Sequence, residues 1–168
     1  MTIRVVALTL MAPLLISCTT QERKPPPQIS QVQIREIQTR EFPKETVING
    51  MKAVSAALQD EGYSIQNANT ELGLITANRI INDMDKNSRD TQIFWLGHAK
   101  DYRASRTWKV TANVSIVHKK LRVRISFVEQ EINESGGVLY SQQVIEAKPY
   151  QTVFSKIDKS VFLQKNKL

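Results

Sequence analysis

The sequence predicts one α+β domain, an antiparallel sheet of about five to six strands with two helices on one face. Three observations predict it. Residues 47–58 and 150–163 carry apolar side chains at helical spacing; 108–116 and 121–127 alternate apolar and polar as two adjoining strands; turn-forming residues bound further short strand-like runs. At 168 residues, 41% hydrophobic and 23% charged, the chain builds one domain with a core and is too short for two. The composition excludes collagen-like, coiled-coil and fully disordered chains, and a single cysteine excludes a disulfide framework or a cysteine-based zinc site.

Arg4 and the initiator amine make a positive start, and residues 5–16 are apolar apart from Thr9, with Pro13 among them. That run falls short of the ~20 apolar residues a membrane-spanning helix needs. It ends in Leu15-Ile16-Ser17-Cys18, and here the segment resembles the bacterial lipoprotein signal: a short apolar stretch, a small residue, then a cysteine. The resemblance implies lipid on the Cys18 sulfur, cleavage after Ser17, and acylation of the new amine with a chain such as palmitate. An unlipidated thiol in an ordinary secretory signal, or a short uncleaved anchor, is the alternative. One acyl chain holds a protein only marginally, whereas two or more anchor it stably. Thr19, not aspartate, follows the cysteine, which under that family's sorting rule implies the outer membrane, periplasmic side. The chain carries a formal charge of +7, and loss of residues 1–17 removes only Arg4, so the remainder stays basic. A basic balance favours anionic partners such as lipid headgroups or acidic proteins; nucleic acid is not expected in that compartment.

Residues 18–28 read as a tether. Gln21-Glu22-Arg23-Lys24 is polar, and Pro25-Pro26-Pro27 favours extended polyproline II at about 3 Å per residue. The periplasmic domain is expected over 29–168. Ile29, Val32, Ile34 and Ile37 alternate in part and predict an edge or entry strand. Pro43 fits the first turn of a helix whose stripe is Val47, Met51, Val54 and Leu58, with Gly62 as its left-handed stop. Two short strands, 63–65 and 72–77, follow as a hairpin around Asn67-Ala68-Asn69-Thr70. Residues 82–106 are mostly polar and read as a long loop, with one apolar island at Ile93-Phe94-Trp95-Leu96.

Trp108, Val110, Ala112, Val114 and Ile116 line one face of a strand, and Leu121, Val123, Ile125 and Phe127 one face of the next. Both sets face the helices only if even positions pair with odd ones. A two-residue turn at Lys119-Lys120 satisfies this, with His118 opposite Leu121, Ile116 opposite Val123 and Val114 opposite Ile125. A three-residue turn would bury Arg122 and Arg124, at a cost of several kcal/mol. Two lysines are poor turn residues, which leaves room for a bulge nearby. Glu134-Ser135-Gly136-Gly137 is a better turn, into a strand over 138–146 whose apolar residues lie on both parities and leave its register open. Pro149 then opens a last helix with Tyr150, Val153, Phe154, Ile157, Val161 and Leu163 or Phe162 as its stripe.

The helix leading into Leu58-Gln59-Asp60-Glu61-Gly62-Tyr63-Ser64-Ile65, the stretch 69–77 and the closing helix 150–163 resemble the helix-grip domains of the C lipoprotein of the outer-membrane β-barrel assembly machinery and related lipoproteins. The likeness runs over most of residues 44–163 and rests on structural rather than catalytic motifs. It implies a helix-grip-like sheet with its helices on one face, and a place among envelope assembly proteins.

Chemistry-bearing patterns are few. His98 and His118 are too far apart for a helical ligand pair and have no cysteine nearby, so neither metal nor cofactor is expected. No Gly-x-Ser-x-Gly elbow frames a nucleophile, and Gly136-Gly137 precedes no helix that would make a phosphate loop. Glu129 and Glu131 share a strand face and read either as paired carboxylates or, more simply, as a solvated strand end. Two features point to binding. Phe94 and Trp95 read as an exposed anchor or as a flap over a sheet edge. Lys109, Arg122 and Arg124 place positive charge on the sheet face away from the helices, as a partner surface or a plain solvated one. The expectation is a non-catalytic interaction or assembly module with an envelope protein as partner. A carrier or sensor of a small amphipathic ligand, held between the sheet and the C-terminal helix, is the alternative; a hydrolase using Glu129, Glu131 and the histidines is a third.

Overall fold

The computed structural model describes residues 30–165. Cys18 and the expected signal and tether, residues 1–28, lie outside the described residues. The fold is α+β, with a six-stranded antiparallel sheet and four helices among the described residues.

Where a strand was expected at the start of the domain, the chain forms helix α1 (Gln31–Gln38), and strand β1 (Thr39–Pro43) comes after it. A capping box starts the helix: the Gln33 N–H donates to Ser30 Oγ (3.3 Å) and the Ser30 N–H to Gln33 Oε1 (3.1 Å). The partial alternation misled because Ile34 and Gln38, one turn apart, are the buried positions. Pro43 closes β1 rather than opening a helix, since an edge strand tolerates a residue with no N–H at its end. Helix α2 (Val47–Asp60) begins at Thr46, whose hydroxyl accepts from the Asn49 N–H (3.2 Å). Its expected stripe is buried at Met51, Val54 and Leu58, widened by Gly50, Ala53 and Ala57 so that the helix lies close on the sheet. It ends as expected at Gly62, whose φ of +77° permits two closing bonds, Tyr63 N–H to Leu58 O (3.0 Å) and Gly62 N–H to Gln59 O (2.9 Å).

Strands β2 (Ser64–Asn69) and β3 (Leu74–Ile81) form the next hairpin. Asn67-Ala68-Asn69 belongs to β2 and not to the turn, which sits at 70–73. Gly73 sets the turn's place: its φ is +62°, and a Cβ there would stand 2.0 Å from the Val114 carbonyl oxygen, so only glycine fits. Helix α3 (Lys86–Leu96) then occupies much of the expected loop.

Strands β4 (Ser105–Val117) and β5 (Lys120–Ile132) pair along their whole length, with Ile116 opposite Leu121 and Val114 opposite Val123. The turn is His118-Lys119, not Lys119-Lys120, and the register is two residues from the expected one. Both turn residues adopt positive φ (49° and 62°), as a two-residue turn matched to strand twist requires. Histidine tolerates that region better than most residues. The inward faces remain as expected, because a shift of two moves no side chain across the sheet.

Strand β6 (Val138–Gln143) ends earlier than expected. A bulge opposite Glu131 and Ile132 admits Leu139, which is why its apolar residues keep no single parity. Helix α4 (Ala147–Lys165) carries Pro149 in its first turn and buries Tyr150, Val153, Phe154, Ile157 and Val161; Phe162 faces solvent. Helices α2 and α4 pack side by side on one sheet face, joined where Lys156 Nζ meets the Glu61 carboxylate (2.6 Å). The remaining two helices are α1 and α3, so the expected helix pair is the part that covers the sheet.

Strand order is β1-β5-β4-β3-β2, with β6 also on β5. β4 takes one edge of β5 throughout. On the other edge β1 covers Lys120 to Arg124 and β6 covers Val128 to Ile132, leaving a gap near Phe127. The buried Tyr150 hydroxyl fills that gap. It accepts from the Phe127 N–H (3.4 Å) and from Gln38 Nε2 (3.4 Å), and it donates to the Val144 carbonyl (2.7 Å). Burial pushes its phenol above the ordinary tyrosine range, so it stays protonated and able to donate.

Tyr150→Phe keeps the ring and strips the hydroxyl, leaving three buried groups short of a partner. The expected loss is about 2–3 kcal/mol of unfolding free energy. It should be read as a lower urea midpoint at an unchanged slope.

Candidate interaction site

The apolar island 93–96 is the last turn of α3, a helix none of whose residues is buried. With no stripe facing a core, it shows no amphipathic period; its sequence signals are only its ends. The Asp85 carboxylate accepts from the Ser88 N–H (3.1 Å), and Gly97, at φ +74°, stops the helix. Hydrogen bonds to the backbone of the segment that follows hold it in place. Gln92 Oε1 accepts from the N–H groups of Lys100 (3.1 Å) and Asp101 (3.3 Å), while its Nε2 donates to the Asp101 carbonyl (3.1 Å). The Asp85 N–H donates to the Arg103 carbonyl (2.8 Å). Tyr102 is buried behind the helix with its hydroxyl near Glu134 and Arg89, and burial raises its phenol.

At the tip Phe94 and Trp95 are 77% and 75% exposed and meet edge to face, with ring centroids 4.9 Å apart. Ile93 and Leu96 are exposed beside them. The rings are exposed and do not fold back as a flap. Each ring would bury about 150–250 Å² against a partner, a gross gain of about 4–6 kcal/mol per ring before association costs.

The structure does not gather the five sequence-predicted partner residues. Lys109, Arg122 and Arg124 lie on the sheet face away from α2 and α4, as expected. Arg124 stands opposite Asn113 and Arg122 opposite Ser115, whereas Lys109 is four residues further along β4, roughly 13 Å away. Arg122 is engaged by the Glu41 carboxylate (3.1 Å), which Lys120 also approaches (3.4 Å); the hydrogen bond from Arg122, then that from Lys120, holds the Glu41 carboxyl below its ordinary range. Arg124 donates to Gln38 Oε1 (3.5 Å) beside a shallow depression of about 190 Å³ bounded by Thr111, Asn113 and Ser126. The chain enters and leaves α3 at the opposite end of the sheet, after Ile81 and before Ser105.

Glu129 and Glu131 are not a solvated strand end. They continue the inward parity of Phe127, past the cover of the helices. Glu129 Oε1 accepts from Trp108 Nε1 (3.2 Å) and pairs with Arg106 (3.2 Å), Glu131 pairs with Arg103 (3.3 Å), and Asp83 pairs with both arginines (3.5 and 3.2 Å). The network ties the α3 connection to the sheet. His98 sits just past α3 with Nδ1 3.0 Å from the Leu96 carbonyl oxygen, far from the His118 turn. Among the described residues no three His, Cys, Asp or Glu side chains are grouped to hold a metal ion, and no helix is long and apolar enough to cross a membrane.

One feature escaped the sequence reading. A cleft of about 190 Å³ opens between the first turns of α4 and the sheet, bounded by Tyr63, Arg79, Trp108, Lys148 and Thr152. The signal was present: Arg79 follows Ile75 and Ala77 on the inward parity of β3, a charge where the alternation asks for an apolar residue.

Trp95→Phe should leave stability within about 0.5 kcal/mol of the parent. It should also remove most of the tryptophan fluorescence that acrylamide quenches, leaving the half-buried Trp108.

The chain matches no protein-family model, and no curated protein matches it.

Proposed function

We propose that this chain is an outer-membrane lipoprotein, held on the periplasmic side by lipid on Cys18, whose domain serves as a non-catalytic interaction or assembly module of the cell envelope. The observation that carries the reading is the tip of α3. Four consecutive apolar residues, two of them aromatic, stand in water on a helix held by Asp85 and Gln92. An exposed apolar patch on a braced element suits docking into a partner's groove, because little ordering entropy remains to be lost on binding. The partner is an envelope protein with an apolar pocket for the Trp95 ring; Arg124 at the other end of the sheet is a separate, polar contact point.

The second reading, carriage of a small amphipathic ligand between the sheet and the C-terminal helix, draws support only from the cleft beside Trp108. Deeper in, Phe127, Tyr150, Phe154 and Ile157 fill the space between α4 and the sheet.

In-cell photocrosslinking from positions 95 and 124 of the full-length chain tests the proposal. A discrete protein adduct at position 95, reduced about tenfold by Phe94→Ala, is the expected result. Adducts to lipid alone, or none, would overturn the protein-docking reading. Cys18→Ser should abolish incorporation of labelled palmitate and release the chain from the membrane fraction; unchanged labelling would remove the anchor.

A further inference from the structure

The cleft at the head of α4 presents two cations that have no carboxylate partner among the described residues. Arg79 lies between two rings, its guanidinium carbon 4.8 Å from the Tyr63 centroid and 5.6 Å from that of Trp108. Its Nη1 donates to the Glu61 backbone carbonyl (2.9 Å). Its Nε is buried and meets no acceptor among the described residues. Lys148, on the exposed first turn of α4, adds a second positive charge.

Glu61 is the one carboxylate among the lining residues of the cleft, and it already has a cation. The Glu61 carboxylate is bound by Lys156 (2.6 Å), and Glu129, behind Trp108, is bound by Arg106 (3.2 Å). The Tyr63 phenol is pushed up to about 12 by burial and stays neutral. The rest of the wall is the edge of Trp108 with Pro149 and Val153.

We propose that this cleft binds a small organic carboxylate, its oxygens between the outer guanidinium nitrogen of Arg79 and the Lys148 ammonium, and its residue-sized apolar body against Trp108 and Val153. Two cations beside an apolar wall hold a carboxylate by charge-assisted hydrogen bonds while its body is taken out of water. A volume of about 190 Å³ admits one ring or one amino-acid side chain and no acyl tail, since Phe127 and Tyr150 close the floor. The same chemistry is offered by a free metabolite or by the C-terminal residue of a peptide. The site shares no residue with the α3 tip and stands or falls independently of the docking reading.

The test is a titration of the full-length chain in detergent micelles, following the two indole N–H resonances by NMR, with Trp95→Phe to identify Trp108. N-acetylphenylalanine should move the Trp108 signal saturably and leave Trp95 in place. Its uncharged amide should bind about tenfold more weakly, equivalent to about 1.4 kcal/mol. Arg79→Gln should weaken binding about tenfold. Because Arg79 packs on core rings, Lys148→Gln on the exposed turn is the companion variant, with an expected loss of about threefold. Equal binding of the amide, an equal response to inorganic phosphate, or an unchanged affinity in Lys148→Gln would overturn the proposal. A tripeptide ending in phenylalanine separates the sources: affinity equal to that of the acetylated residue assigns a peptide terminus, and its exclusion assigns a free carboxylate.

Discussion

One buried hydroxyl holds together the place where this sheet is incomplete. Two strands share the outer edge of β5 without meeting, so the Phe127 N–H would face a gap in the core. Tyr150 supplies the acceptor from a helix rather than from a strand. Because the same oxygen receives Gln38 and donates to Val144, it sets three things: the rotation of α4, the end of α1 and the exit path of β6. Its ring, packed edge to face on Phe127 at 4.9 Å, adds the apolar half of the same contact. Orphaned buried groups cost about 1–3 kcal/mol each, a large share of the net stability of a domain this size.

The parts of the fold legible in the sequence are those where one face of an element is buried. Alternation in β4 and β5 and the stripes of α2 and α4 report that burial directly, and Gly62 marks the end of α2 through its backbone alone. What was not legible has physical reasons. The hydrophobic pattern cannot separate registers two residues apart, so the turn at His118-Lys119 was decided by backbone conformation that a side-chain period does not report. Helix α3 has no core face and hence no period. Helix α1 buries only Ile34 and Gln38, too little to overcome a partial alternation.

The candidate sites divide the same way. That Phe94 and Trp95 matter was legible from two aromatic residues in a polar stretch; that they crown a helix was not. The charges Lys109, Arg122 and Arg124 were rightly placed on the outer face, yet pairing with Glu41 and separation along β4 keep them from acting as one patch. Glu129 and Glu131 looked like free carboxylates because Arg106 and Arg103, which hold them, lie more than twenty residues earlier in the chain. Arg79 was visible as a fault in an inward alternation. Its meaning depended on Lys148 and the start of α4, which only the folded chain brings beside it.

The tight turn between β4 and β5 also bears on the order in which the chain assembles. Its two-residue turn is the shortest junction between strands, a slightly smaller closure cost than the four- and five-residue turns of the other hairpins, and the pair it joins is the longest and most central. Strand β1 must find β5 across some eighty residues of chain, from Arg40 to Val123. The central hairpin is therefore the natural nucleus, and β1, the Tyr150 contact and the first turns of α4 join it late. The first and last elements of the described residues are thus the last to lock, with the β4–β5 ribbon finished before the outer edge of β5.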